Sequence, residues 1–371
     1  MGRSFFYDNN FVVNIIARYL CSMNVDYIIV GLGLAGLALA EQLESHNKSF
    51  VLFEDNSQNS SLVAGGVYNP IILKRFTPVW DALDQLKIAV PFYKALEKKL
   101  NIKFDYAINI HRIFTSVEEQ NNWFNACDKP FFSEYMIPQI IQNTNKYVNA
   151  NFGCGKIINT GKIDTEALLT AYRKHLENKN LLRLERFDYA VLKLEKQLVN
   201  YKNITTKQIV FCEGFGVKKN PYFKNVPLQE AKGELLTIHS PELKIDFLLK
   251  SSIYIMPLGN HYYKVGATFN WTDKTLLPTE EGKNELLTKL RKVITADFEI
   301  VDQTAGIRPT VKDRRPILGK HKKHKQLAIL NGLGTRGVML APKMAIKLFE
   351  HLENNRSIDK EISISRFDQF L

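Results

Sequence analysis

The first regular pattern in the chain begins near residue 25. Residues 27–30 form an unbroken apolar run, the mark of a strand buried on both faces. The small and leucine side chains that follow predict a helix from 34 to about 45. A second apolar run, 49–53, predicts another strand. Trp80, Leu83, Leu86, Val90, Tyr93 and Leu96 then form a stripe that predicts a helix over about 78–100. From about 101 to 155 the pattern shifts to aromatic-rich stretches at 107–116, 131–137 and 145–152, each expected as a short strand. A helix is predicted over 163–178, with Asp164 as its N-cap. Residues 208–216, QIVFCEGFG, read as a buried strand that returns to the first sheet. Strands joined by tight turns are expected at 232–240, 251–259 and 261–271, then a helix over about 279–295 with Leu286, Leu287 and Leu290 as core positions. The pattern closes with a strand, a glycine-rich loop and a helix between 327 and about 352.

The glycines in the first unit carry chemistry. Gly31 starts a tight turn after the strand, Gly33 lets the backbone approach a pyrophosphate, and Gly36 allows the helix to pack closely on the strand. The helix N-terminus offers unpaired N–H groups and a positive dipole end to phosphate. Glu54 ends the second strand 23 residues after Gly31, where a carboxylate binds both hydroxyls of an adenosine ribose and disfavours a 2′-phosphate. Strand, turn, helix, strand and acidic end together predict a bound dinucleotide, either FAD or NAD. The next loop contains Ala64, Gly65 and Gly66, small enough for backbone to lie against something flat and large. The later loop, with Gly334, Thr335, Arg336 and Gly337, aims a second positive helix end at the site. A reduced isoalloxazine is anionic at N1 and O2 and nicotinamide has no comparable end, so this second helix start favours FAD.

The alternating segments predict an α/β chain. A dinucleotide-binding, Rossmann-like FAD domain (24–100, 156–222 and 301–371) is interleaved with a mostly antiparallel α+β substrate domain (101–155 and 223–300). Residues 1–23 are expected as a disordered extension, because MNVDYIIVG reads as a start placed directly before a strand; Met1 and Met23 are the alternative starts. The apolar run FVVNIIARYL is short, carries Arg18 and lacks a small-residue cleavage site, so it does not read as a signal peptide. No run of 18 or more apolar residues predicts a membrane span. Cys21, Cys127, Cys154 and Cys212 have neither CxxC spacing nor a histidine grouping. They are expected as buried free thiols in a cytoplasmic protein, with no metal site and no disulfide scaffold. Hydrophobic residues at 45% and charged residues at 24% exclude a disordered chain, a coiled coil or a collagen repeat.

Charge adds one further feature. The formal net charge is +12, and residues 307–325 hold eight Lys or Arg against one Asp. Within that run KHKKHK at 320–325 reads as an exposed hairpin turn, either simply solvated or a collar for RNA or an anionic substrate. Arg308, between Gly306 and Pro309, is expected at the edge of a strand just before a turn. There its guanidinium can fix a substrate carboxylate through two parallel hydrogen bonds, or make a structural salt bridge. His111 sits in a strand-like alternation and reads as structural.

Together VGLGLAG at 30–36, VAGGVYNP at 63–70, IYIMP at 253–257, GAT at 266–268, AGIRP through PILG at 305–319 and GLGTRGVMLAP at 332–342 resemble the FAD-dependent amino-acid oxidase family. In particular they resemble glycine oxidase and the oxidase domain of the bifunctional tRNA wobble-uridine modifying enzyme. The resemblance implies that Gly31, Gly33, Gly36 and Glu54 bind the ADP half of FAD, with Ala64, Gly65 and Gly66 over the pyrophosphate and flavin. It places the substrate carboxylate on Arg308, a substrate-facing hydroxyl at Tyr254, and Gly334 to Gly337 by the flavin pyrimidine. Glycine oxidase has an arginine where this chain has Thr335, and GLGTRG is nearer the tRNA-enzyme form, which argues against glycine itself as substrate. The chemistry implied is hydride transfer from the carbon beside a neutral amine to flavin N5, acting on a small amino acid or secondary amine. The alternatives are removal of a carboxymethyl group from a modified wobble uridine in tRNA, and a dehydrogenase with a non-oxygen acceptor. A chain of 371 residues is expected to leave no room for the bifunctional enzyme's methyltransferase domain.

Overall fold

The computed structural model describes residues 22–370. The extension expected over 1–23 falls outside the described residues apart from Ser22 and Met23, and Met23 pairs with Ile204 as the first residue of a strand. In chain order, β1 (Met23–Val30), α1 (Leu34–Ser45) and β2 (Phe50–Phe53) form the predicted opening unit. Ile28 and Val30 pack into one hydrophobic cluster while Tyr27 and Ile29 pack into another, so alternate side chains are buried on opposite faces.

Three two-residue strands follow, β3 (Val67–Tyr68), β4 (Ile71–Ile72) and β5 (Thr77–Pro78), and then α2 (Ala82–Leu100). The stripe placed this helix start too early, because Thr77 and Pro78 pair with Ile72 and Ile71. Leu86, Tyr93 and Leu96 are buried as expected, whereas Leu83 is exposed. Next come β6 (Asp105–Ala107), β7 (Ile110–Ile113), α3 (Val117–Cys127), β8 (Met136–Ile141), β9 (Cys154–Ile157) and β10 (Gly161–Ile163).

Helix α3 corrects the all-strand reading of 101–155. Its start was legible as Ser116 followed three residues later by Glu119. The Ser116 hydroxyl accepts from the Glu119 N–H at 3.2 Å, and the Glu119 carboxylate accepts from the Thr115 N–H at 2.8 Å, a capping box shifted by one residue. Residues 131–135 are turns, and 145–152 form no strand beyond a bridge from Val148 to Ile294.

The rest of the chain contains α4 (Thr165–Asn178), β11 (Leu182–Arg183), β12 (Leu192–Leu194), β13 (Val199–Tyr201), β14 (Ile204–Phe211), β15 (Leu228–His239), β16 (Leu248–Lys250), β17 (Tyr254–Gly259), β18 (Tyr262–Gly266), α5 (Glu280–Arg291), β19 (Glu299–Val311), β20 (Ile317–Lys320), β21 (Leu327–Asn331) and α6 (Gly337–Asn354). Asp164 caps α4 by accepting from the Ala167 N–H at 3.0 Å.

One sheet has β1 at its centre, parallel to β2 and β14, with β21 parallel to β14 and β11 parallel to β2. The carboxyl ends of β1, β14 and β21 therefore share one edge, the place where open parallel sheets bind ligands. The second sheet runs β19-β15-β18-β17-β16-β7-β9-β8 and is antiparallel except between β16 and β7. Strand β19 pairs with β15 from Leu228↔Val311 to His239↔Glu299. A domain boundary at 301 would cut through β19, and one at 155 through β9. Both strands belong to the second sheet, because pairing with a distant partner, invisible in local pattern, assigns them there. Arg308 is accordingly inside a long strand, not at its edge.

Cys127, Cys154 and Cys212 are buried and free. Among the described residues, no helix is long and apolar enough to cross a membrane, and no group of His, Cys, Asp and Glu could hold a metal ion.

Candidate active site

A cavity of about 800 Å³ lies between the carboxyl edge of the parallel sheet and one face of the second sheet. Its first end is built by the opening unit. Gly31 has φ +102°, and a Cβ there would stand 2.6 Å from the Cys212 carbonyl oxygen, so β1 can turn into α1 only with glycine. A Cβ on Gly36 would come within 1.9 Å of the Gly31 carbonyl, so Gly36 lets the helix sit close on the turn. Gly33 caps α1 with no side-chain bond, and Leu34 N–H meets the Ser61 hydroxyl at 3.2 Å. Glu54 accepts from Leu32 N–H at 2.5 Å and Asn56 N–H at 2.7 Å. The carboxylate thus pins the glycine turn while keeping acceptor capacity toward the cavity, since each oxygen has two lone pairs.

The next loop is small for two further reasons. Gly66 has φ +68° and faces the Ile163 carbonyl, which a Cβ would approach to 1.9 Å; a Cβ on Gly65 would lie 2.9 Å from the Tyr254 hydroxyl.

At the far end the second sheet supplies the wall. Tyr254 pairs with Gly266, which pairs with Leu235, while Gly233 pairs with Gly306 two residues along. Arg308 lies flat across Gly233, where a Cβ would be 1.9 Å from Nη2, and Tyr254 lies across Gly266, where a Cβ would be 2.8 Å from the hydroxyl. The glycines of neighbouring strands make the room that these two long side chains occupy. Arg308 donates from Nη1 to the Thr268 carbonyl at 3.3 Å and stacks on Phe269, 4.4 Å from its ring centre. Among the described residues it forms no salt bridge, so the salt-bridge alternative does not hold. Burial depresses the guanidinium pKa, and burial pushes the Tyr254 phenol up to about 12, with Arg308 opposing. A desolvated cation with free N–H donors is a ready carboxylate fork.

The glycine-rich turn after β21 closes the cavity. Gly334, Thr335, Arg336, Gly337 and Val338 line it, and Arg336 donates from Nη1 to the Asn69 carbonyl at 3.1 Å. Burial, aided by nearby Arg314, lowers the Arg336 pKa to about 10. Of the cofactor-binding and catalytic residues expected from the sequence, all but Gly36 line this one cavity. Sequence reasoning missed Gly233 and Phe269 and gave no role to Gly266 within the GAT motif, since their places depend on strand register, and it also missed two titratable groups. Burial raises Glu213, bonded to Tyr189 and to Asn220 at 2.8 Å, to about 7. Burial, with Arg112 nearby, lowers Lys250 to about 8. His111 stacks on Phe247 at 3.8 Å, in keeping with a structural role.

The basic run is divided by the fold. β20 and β21 pair antiparallel from Ile317↔Asn331 to Lys320↔Ala328. Residues 321–326 do form a hairpin turn, but at the end of β21 away from the cavity, roughly 16 Å along a strand rising about 3.3 Å per residue. They cannot be a collar around the site. Lys312 and Arg314, in contrast, are exposed at the cavity end.

A cavity that brings together a phosphate-ready helix start, a ribose-ready carboxylate and a second helix start, with Gly337 packed beside Leu34, fits FAD. The sequence profile described as FAD dependent oxidoreductase matches residues 26–350. Glycine oxidase of Bacillus subtilis (strain 168) is 23% identical over 357 residues, 90% of this chain and 94% of that protein. The tRNA 5-methylaminomethyl-2-thiouridine biosynthesis bifunctional protein MnmC of Campylobacter concisus (strain 13826) is 25% identical over 315 residues, 79% of this chain; the chain spans 46% of that relative's length. The glycine oxidase structure from Geobacillus kaustophilus superposes with a TM-score of 0.75 at 18% identity, over 93% of this chain and 98% of that one. With the profile covering most of its length, the chain belongs to the DAO family of FAD-dependent oxidoreductases.

Proposed function

We propose that the protein oxidises the C–N bond of a small amino acid or secondary amine, with Arg308 holding the substrate carboxylate. The observation that carries this reading is the Arg308 guanidinium, desolvated in the cavity wall beside Tyr254 and without a carboxylate partner among the described residues. FAD, when bound, supplies a hydride acceptor at N5. The chain's own residues supply position. Arg308 fixes one end of the substrate through parallel hydrogen bonds, Phe269 restrains the guanidinium, and the Tyr254 hydroxyl, neutral far above physiological pH, donates to or screens the same end. The glycine-bearing 64–66 loop and the turn at 334–337 position the FAD ring system. No side-chain base is needed when the C–H bond of a neutral amine is aimed at the acceptor. The relatives named for glycine oxidation support this substrate class.

A second reading is removal of a carboxymethyl group from a modified wobble uridine in tRNA. It is favoured by Lys312 and Arg314, exposed at the cavity end with no salt bridge among the described residues, and by the relative named for tRNA modification. The deciding experiment is anaerobic flavin bleaching with glycine, sarcosine, proline, D-amino acids and undermodified tRNA. Bleaching by a small amine supports the first reading; bleaching by tRNA alone replaces it with the second. Reoxidation with oxygen against an artificial acceptor then separates an oxidase from a dehydrogenase.

A further inference from the structure

Lys250 ends β16, and strand register sets it directly opposite Tyr254 on β17 and beside Arg112 on β7. Residues opposite one another in a ladder share a face, and Leu248, Lys250, Ser252 and Tyr254 all line the cavity. The ammonium makes one hydrogen bond, to the Ile253 carbonyl at 3.3 Å, and forms no salt bridge among the described residues. The two cations closest to it in effect have their own carboxylates: Arg112 pairs with Glu119 and Lys289 with Glu285, each at 2.5 Å. The wall that carries Arg308 thus carries a second cation without a counter-ion, on the other side of Tyr254. Burying a charge without a partner is unfavourable, and an anion entering the cavity relieves that penalty.

We propose that Lys250 forms a second anion subsite, and that the substrate is an amine bearing two acid groups, one held by Arg308 and one by Lys250. This rests on the reading of Arg308 as the carboxylate fork. The spacing suits a short molecule. The Arg308 guanidinium lies over β15 and Lys250 is on β16, three strand spacings of about 4.8 Å apart, on the order of 14 Å between backbones before the side chains reach inward. Two carboxylates joined by a linker of a few atoms, each accepting a hydrogen bond from one cation, bridge that distance. Monoacid amines of the same length leave Lys250 unpaired and bind less tightly.

The test uses the FAD-loaded enzyme and redox-inert acids in matched pairs: diglycolate against methoxyacetate, and glutarate against its monomethyl ester. Binding is read from the perturbation of the flavin absorbance. At least one diacid is expected to bind tenfold or more tightly than its monoacid partner. Lys250→Met is expected to abolish that preference and leave monoacid affinity within about twofold, while Lys250→Arg retains the preference. Lys250→Gln serves in place of the methionine variant if that protein does not fold. Monoacid binding with no diacid preference in the wild type overturns the second subsite alone. A preference that survives in Lys250→Met or Lys250→Gln does the same, as does a variant whose only defect is slower reoxidation by oxygen. If no acid of either kind binds while FAD is held, the Arg308 reading itself fails, and this proposal fails with it.

Discussion

At the scale of single residues, the site is a set of desolvated charges held by few contacts. Arg308→Leu removes the proposed carboxylate fork and leaves the glycine turns of the cofactor end in place. KM for an amino-acid substrate is expected to rise roughly 10- to 100-fold, the equivalent of one or two hydrogen bonds to a charged group, with FAD content unchanged. An unchanged KM in steady-state kinetics would remove Arg308 from the site. Phe269→Ala frees the guanidinium from its stacking partner and is expected to raise KM a few-fold with little change in kcat, since such contacts at exposed sites are worth about 0.5–1 kcal/mol.

Glu213 makes a different prediction. Burial raises its pKa from the ordinary 4.5 to about 7, so between these two values the unfolded chain gives up a proton that the folded chain keeps. Stability therefore falls as pH rises from 4.5 to 7 and is level above, with a loss of up to about 3 kcal/mol. Glu213→Gln should flatten that slope, measured by denaturant unfolding at pH 5 and pH 8. Equal slopes in variant and wild type would show that the Tyr189 and Asn220 bonds keep the carboxylate ionised.

At the scale of elements, the second sheet works by leaving gaps. Gly233→Ala places a methyl group where the Arg308 guanidinium lies, and a flexible side-chain end can move where a backbone could not. The fold should survive with an almost unchanged melting temperature while KM rises about tenfold, a binding defect made without altering any ligand-contacting group. Helix α3 shows what local signals can do. Its Ser116–Glu119 capping pair was legible, but the aromatic residues around it suggested strands. Ser116→Ala should cost about 1 kcal/mol of stability, seen as a lowered melting temperature. The opening unit from β1 to β2 was legible because strand, glycine turn, helix and acidic end are consecutive. β19 was misassigned because its partner β15 lies some 70 residues earlier, a separation no periodicity reports.

At the scale of the whole molecule, the fold decides which charges can act on the site. The lysines of the 320–325 turn stand at the end of β21 remote from the cavity, whereas Lys312 and Arg314 stand at the cavity end. Replacing Lys322, Lys323 and Lys325 with Gln should leave amine oxidation unchanged. If tRNA is a substrate, Lys312→Glu with Arg314→Glu should weaken its binding and lower the salt slope by about two, since each lost phosphate contact removes nearly one counterion. Small-amine kinetics should then be unaffected, and a salt slope altered by the turn lysines instead would contradict the placement.

The sequence by itself determined the cofactor end of this protein. A tight turn, a close helix and an acidic strand end are properties of adjacent residues, set by glycine sterics and by the helix N-terminus wherever the rest of the chain goes. It also singled out Arg308 by its place between Gly306 and Pro309, and Tyr254 through family resemblance, without saying what surrounds them. The tertiary structure alone decided that Arg308 lies across Gly233 under Phe269, that Tyr254 stands between Arg308 and Lys250, and that half of the basic run faces away from the site. Those relations depend on strand register between segments far apart in the chain. A shift of one residue there would turn every one of these side chains to the opposite face.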